Sequence, residues 1–352
     1  MPQKLGVSSC RNPSVTATLF GLCCLALVGF TFITGFHDAP NGTAIPVKTR
    51  ALTPRIALRS SAFFNVMGFL IAGILLMPVT TRWLTVPHNN IGLSMALISL
   101  LTVCIWGMVT WWYRMPSSST HALLGGLAGV AWAAQAVGLG KFNPFNEPLV
   151  LFAVIPLVIA PLLLFVFSWA AVFPFFGLIH RVYPSTVNQA SRNILSLSNS
   201  LISLVHGIQT GQRAVIIFTV MLLSAEYSMQ GSTQIIATIF LALILGLGTA
   251  CGSSRIGYTF AHQMVRIDPF RGAVAQSSAA LALVLLQFLL GTPVSSSHLT
   301  ASAALGSGVN QRFASVRHKI VLRIILTWII TIPASFGISA ILFLAFSPLL
   351  SV

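Results

Sequence analysis

The sequence predicts an all-α integral membrane protein assembled as an inverted repeat. Three observations carry that reading: the composition, the length of the apolar runs, and two short motifs that recur in the same order. Of 352 residues, 56% are hydrophobic and 7% charged, with a mean hydropathy of +0.90, whereas soluble domains carry about a quarter charged residues. A bilayer-spanning helix needs about 20 largely apolar residues. Residues 14–36, 60–78, 91–113, 148–178, 194–224, 233–250, 272–292 and 320–346 each supply such a run, and two of these are long or punctuated enough to be double or tilted.

The formal charge of +15 invites nucleic acid as a partner, but its distribution argues otherwise. The basic residues sit in short connections such as KTRALTPRIALR (48–59), RIGYTFAHQMVRIDPFR (255–271) and RHKIVLR (317–323). That is the pattern by which spans keep positive loops in the cytoplasm, so the expected partner is the lipid bilayer and not nucleic acid. Cys10, Cys23, Cys24, Cys104 and Cys251 show no CxxC spacing, which argues against a disulfide framework or a zinc site. The first apolar run has no small-residue cleavage site after it and is read as a retained helix.

The repeat shows in two places. MPSSSTHALLGGLAGV (115–130) resembles TPVSSSHLTASAALGSG (292–308), each with a Pro, a run of hydroxyls, a His and then small residues; His121 and His298 lie 177 positions apart. Upstream, GFHDAPNG (35–42) pairs with GIQTGQRA (207–214), 172 positions away. Two motifs in one order at nearly one offset predict a duplicated unit, residues 1–185 and 186–352, within a single integral domain. The tract GLIHRVYPSTVNQASRN (177–193) is read as the join, and each half is expected to hold one broken helix and one hydroxyl-rich hairpin.

In chain order, the first break carries an acid. Asp38 is one of four, with Glu147, Glu226 and Asp268, and a carboxylate at membrane depth costs about 3 kcal/mol or more unless it has a partner or water. The plainer reading makes it a cap at the interfacial end of the first helix. Pro40 and Gly42 favour a real interruption, because Pro removes a backbone donor and Gly tolerates unusual dihedrals. Breaks at such depth are tolerated only around a protein-lined cavity, and their free N–H groups bind anions. His37 and Asn41 beside it form a weak cation-binding pattern. Asn65 and Gln276, amides inside apolar helices, are either coupling-cation ligands or simple interhelical hydrogen bonds.

The hydroxyl segments come next. Ser118, Ser119 and Thr120 in the first, and Ser295, Ser296 and Ser297 in the second, offer rotatable donors beside the exposed N–H groups of a helix start. Brought together by pseudo-symmetry, they would surround a tetrahedral oxyanion from both sides. For one segment alone, capping and bundle hydrogen bonds would be explanation enough. Ser118 and His121 also stand at nucleophile–base spacing, as in an intramembrane hydrolase, but no orienting acid and no G-x-S-x-G elbow accompany them. His121 and His298 are therefore read as residues that brace the hairpins.

The series GFHDAPN, LTPRIALRSSAFFNVMGFLIAG, MPSSSTHALLGG, LVHGIQTGQRA and AQSSAALALVLLQFLLGTPVSSSH resembles the inorganic phosphate transporter (PiT) family, in particular its bacterial low-affinity branch. The resemblance covers about residues 14–340. It implies an inverted-repeat secondary transporter with about 10–12 membrane segments, including two re-entrant helical hairpins, that moves phosphate, or a metal–phosphate complex, with a coupling proton or sodium ion. It also implies a homodimer in a bacterial inner membrane, with no resident cofactor and no enzymatic activity. Carried over, the first signature falls on Gly35, His37, Asp38 and Asn41, the hairpins on Ser118, Ser119, Thr120 and on Ser295, Ser296, Ser297, and the helix amides on Asn65 and Gln276. The second signature, H-G-A-N-D-x-Q-K in the family, reads HGIQTGQR here. His206, Gly207, Gln212 and Arg213 fit, whereas Gln209 and Thr210 replace the Asn and Asp; Pro40 and Gly42 also depart from the expected Ala. Hydrogen phosphate keeps a proton that a carboxylate can accept and sulfate does not, so losing the second Asp opens sulfate or another oxyanion as an alternative substrate. The altered motif also leaves a non-transporting sensor or subunit as a reading of another class.

Overall fold

The computed structural model describes residues 13–75, 87–140, 142, 155–228, 231–252, 254–290, 294–309 and 316–349, and every regular element among them is helical. In chain order these are α1 (Pro13–Asp38), α2 (Pro40–Lys48), α3 (Pro54–Leu75), α4 (Asn90–Trp112), α5 (Ser119–Ala136), α6 (Ile155–Ile179), α7 (Pro184–Ala225) and α8 (Gly231–Cys251). A short α9 (Ser254–Tyr258) then runs into a π turn (Thr259–Met264), followed by α10 (Pro269–Leu285) with a π extension (Leu286–Leu290), α11 (Ser296–Val309) and α12 (His318–Phe346). With α1 and α2 counted together, 8 helices among the described residues are long and apolar enough to cross a membrane, and they answer the apolar runs of the sequence one for one.

The remaining two long elements, α5 and α11, were hidden from a hydropathy reading by their small and hydroxyl residues. Each folds back along its predecessor, α5 on α4 and α11 on α10, to make a helical hairpin whose tip carries a hydroxyl segment. Pro116 sits in the first tip; Pro293 of the second, like Glu147 and Cys10, lies outside the described residues.

The expected breaks are not what the sequence suggested. Ala39, between α1 and α2, keeps helical dihedrals (φ −48, ψ −39). Its amide bonds Gly35 O at 3.2 Å, and Thr43 N bonds Ala39 O at 3.3 Å. Pro40 withdraws one donor and crowds the preceding turn, so the result is a kink, and no row of free amides opens there to bind an anion. In α7 the counterpart segment 207–214 passes without interruption through a helix of 42 residues. It has no Pro, and its glycines are packing points: a Cβ on Gly207 would collide with the Asn65 backbone in α3, as one on Gly68 would with Leu204. The α3–α7 pair is thus pressed to backbone contact. The connection between α6 and α7 is only residues 180–183, because most of the tract read as a join is the first turns of α7.

Packing is crosswise. The helix α1 lies against α8 and α3 against α7, while α5 runs along α12 and α11 along α6. Glycines let the hairpin arms approach those outer helices closely: Gly125 and Gly129 meet the α12 backbone at Ile332 and Phe336, and Gly306 meets α6 at Phe165. The outer helices expose Leu162, Leu163 and Val166 in α6 and Ile329, Ile330 and Ile341 in α12, a surface that suits lipid. The three basic connections gather at one end: Lys48 Nζ donates to the Ala261 carbonyl, and the Arg317 amide donates to Met264 O at 3.3 Å. That is the common face the charge pattern predicts.

Candidate functional site

The two hairpin tips meet in the interior. Ser118 and Ser295 are the residues before α5 and α11, and each hydroxyl accepts from the backbone amide three residues on, His121 N at 3.2 Å and His298 N at 3.4 Å. The tips therefore end in capped helix N-termini, and the first amides of each helix have no intrahelical acceptor. The rings of His121 and His298 stack across the junction with centroids 4.6 Å apart, and Trp328 of α12 backs His298 at 4.1 Å. This geometry disposes of the hydrolase reading: Ser118 is a cap, and the His121 ring turns to its counterpart.

One residue from each signature reaches across to a tip. Asn41 Nδ2 donates to Ser296 Oγ at 3.1 Å and to Ser297 Oγ at 3.2 Å. At the other tip, Arg213 Nη1 donates to Ser119 Oγ at 3.2 Å and to Thr120 Oγ1 at 2.7 Å. Asn41 and Arg213 are the 172-offset partners, and the hydroxyls they hold are the 177-offset partners, so the pattern is the same bridge built twice. Arg213 is further fixed by Nη2 to Thr210 Oγ1 at 3.1 Å and Nε to the Gln209 carbonyl at 3.2 Å. A guanidinium spreads such contacts over a planar fork, and this one is buried.

Asp38 lies between these bridges, also buried. Ser119 Oγ donates to its Oδ2 at 3.3 Å, which joins it to Arg213 through one hydroxyl. Two imidazoles flank it: His37 Nδ1 stands 3.0 Å from Oδ1 and His206 Nε2 3.4 Å from Oδ2. Behind His37, Nε2 meets Thr110 Oγ1 at 3.1 Å, and Thr110 meets Ser117 at 2.9 Å. Behind His206, Nδ1 meets Asn65 Oδ1 at 3.0 Å, and Asn65 Nδ2 donates to Thr249 at 2.9 Å. Gln276 Nε2 reaches the Asn41 carbonyl at 3.3 Å.

Each residue expected from the sequence is thus accounted for. His37, Asp38, Asn41, Ser119, Thr120, Thr210, Ser296 and Ser297 share one network; Ser118 and Ser295 cap the tips; Gln209 contributes its carbonyl; Asn65 and Gln276 spend their amide nitrogens on interhelical bonds. Sequence reasoning did not assign roles to Thr110, Ser117, His206, Arg213 and Thr249. The signal for His206 and Arg213 was their fit to the second signature, and for Ser117 its place in the first hydroxyl segment; Thr110 and Thr249 carry no motif. A cavity of about 250 Å³ lined by Pro40, Thr43, Pro54, Tyr258 and His262 opens beside α2, on the side of the basic end, and Asn41 is not part of its lining.

A multi-spanning helical protein whose paired hairpin tips enclose a buried polar site belongs by architecture with secondary membrane transporters. The chain is a member of the phosphate transporter family, which it matches over residues 34–339. It is 33% identical over 334 residues to a probable low-affinity inorganic phosphate transporter of Rhizobium meliloti (strain 1021), covering 93% of this chain and 96% of that one. It is 30% identical over 336 residues to the protein of the same description in Bacillus subtilis (strain 168), with the same coverage. The low-affinity inorganic phosphate transporter PitA of Escherichia coli (strain K12) is 29% identical over 181 residues, 50% of this chain and 36% of that protein. Among solved structures, the sodium-dependent phosphate transporter superposes with a TM-score of 0.76 at 18% identity, covering 94% of this chain and 99% of that one, which shows that the two share a fold.

Proposed function

We propose that the protein is a secondary active transporter of inorganic phosphate, driven by protons and working by alternating access, in the plasma membrane of a bacterium. The observation that carries this reading is the doubled bridge: two capped helix N-termini, each lined by hydroxyls, meet around Asn41 on one side and Arg213 on the other. Converging helix N-termini supply positive potential, the hydroxyls supply donors to four tetrahedral oxygens, and Arg213 matches two of those oxygens at once. Asp38 accepts the hydrogen bond that hydrogen phosphate donates.

Family membership supports the substrate, and the relatives' descriptions support the low-affinity bacterial branch. The imidazoles against Asp38 support a proton as coupling ion, because a ring nitrogen can either hold a proton or accept one. The crosswise packing of α5 on α12 and α11 on α6 supports the division into inverted halves at about residue 185, and the resemblance supports a homodimer and carriage of phosphate as a metal complex.

The test is uptake of labelled phosphate into proteoliposomes with imposed proton or sodium gradients. Concentrative uptake stimulated by external acid is the expected result, with Mg²⁺ dependence reporting the complexed species. Thr210, in the place of a second acid, favours sulfate as the rival substrate; preferential sulfate uptake would select it. Anion binding without flux would instead select the sensor.

A further inference from the structure

We propose that His206 carries the transported proton, and that Asn65 and Thr249 are positioning residues which hold its Nδ1–H so that Nε2 is left to exchange a proton against Asp38. This rests on the proton-coupled reading above and deepens it by naming the atom. The Thr249 hydroxyl has one hydrogen, and it goes to the Leu245 carbonyl at 2.9 Å. Thr249 Oγ1 can therefore only accept from Asn65, which fixes the amide: Nδ2 faces Thr249 at 2.9 Å and Oδ1 faces His206 at 3.0 Å. A carbonyl oxygen only accepts, so Nδ1 of His206 is the protonated nitrogen. A neutral imidazole then has a bare lone pair on Nε2, and the atom in front of it is Asp38 Oδ2 at 3.4 Å. Two acceptors face each other in a buried site unless a proton lies between them.

The same count applies on the other side. Thr110 spends its hydrogen on the Trp106 carbonyl at 2.9 Å, so His37 Nε2 donates to Thr110 and its Nδ1 lone pair faces Asp38 Oδ1 at 3.0 Å. Asp38 thus stands between two proton-accepting nitrogens whose tautomers are set from outside. His206 is the carrier of the two because its ring bridges α7 to α1 and α3, so protonating it ties three helices together, whereas His37 adjoins Asp38 on the same helix. The other ionisable groups close enough to act on Asp38 are Arg213 on α7 and His298 on α11, whose ring stacks on that of His121. One proton enters Nε2 as substrate binds and leaves as substrate is released, so one proton crosses per turnover.

The test uses the full chain in proteoliposomes at fixed internal pH with labelled phosphate. One coupled proton predicts an accumulation ratio that rises by up to about tenfold per pH unit of inward gradient. His206→Gln places against Asp38 an amide N–H that cannot be given up; we expect it to abolish the gradient response while phosphate exchange slows by about threefold. Thr249→Val keeps His206 but frees the Asn65 amide, and is expected to shift the external-pH midpoint of uptake. A gradient response retained in His206→Gln overturns the proposal, and if that variant does not fold, an unmoved midpoint in Thr249→Val does so. Wild-type uptake that follows sodium and ignores pH removes the proton while leaving phosphate transport standing; no wild-type uptake removes both.

Discussion

One hairpin tip is held by an arginine and the other by an asparagine. The bridges are otherwise alike, each joining one signature residue to two neighbouring hydroxyls, and the difference lies in what stands behind them. The helix pair that carries Asn41 also supplies Asp38 and His37, whereas the unbroken helix that carries Arg213 supplies Thr210, the Gln209 carbonyl and His206. The same bridge occurs twice, with a carboxylate on the signature of Asn41 and a guanidinium on the other. A neutral pairing of tips would leave an anion held by hydroxyls alone, and two acids would repel it. Under the function proposed above, one acid and one guanidinium would let the site take a divalent anion and a proton together.

The comparison can be broken most severely at its acid. Asp38→Asn leaves two buried imidazoles and Ser119 without their anion, and breaking a buried charged cluster costs about 3–5 kcal/mol; proteoliposome uptake is expected to fall by at least about hundredfold. The guanidinium comes next. Arg213→Lys keeps the charge but loses the fork that reaches Ser119, Thr120 and Thr210, so the KM for phosphate is expected to rise by about tenfold, since bonds to a charged donor are worth about 1.5–3 kcal/mol. A smaller contrast sharpens the asymmetry. Ser119→Ala with Thr120→Val removes acceptors from a charged donor, and Ser296→Ala with Ser297→Ala removes them from a neutral amide; the first pair should raise KM by about tenfold and the second by about threefold. Thr210→Asp restores the acid beside Arg213 and should lower sulfate competition against phosphate uptake by a few-fold, through repulsion of an anion that has no proton to donate. The smallest effect is expected for His121→Phe, which keeps the stacked pair and changes uptake by less than about twofold.

Much of this was legible from residues 35–42, 115–121 and 292–298, because composition and repetition there have few structural explanations. The eight spans followed from apolar length, and the hairpins from a Pro followed by hydroxyls at a repeated offset. The breaks were misread for a physical reason: Gly207 and Gly211 look like interruptions in a sequence, yet glycine in a helix also admits a neighbouring backbone, and only the position of α3 decides which role it has. The same contact explains why His206 escaped. Its partners Asn65 and Asp38 come from two other helices, and which turn of α3 meets which turn of α7 is set by the Gly68 and Gly207 contacts, a register that no local pattern encodes. Arg213 was recognised in its motif, but its direction, inward to a hairpin and not outward to headgroups, depends on the tip that it meets.

The hairpins do not stand alone: α5 is pressed at Gly125 and Gly129 onto α12, and α11 at Gly306 onto α6. These two outer helices carry the lipid-facing surface. The 29 residues of α12 measure about 43 Å, against a hydrocarbon layer of about 30 Å, so α12 is long enough to span at a tilt or with its basic first turns outside the hydrocarbon. Because the glycine seams leave no slack, a change of tilt is handed on to the hairpin tip with little loss. Acyl-chain length is thereby expected to act on the tips as a mechanical input, which uptake measured in thinner and thicker bilayers would test.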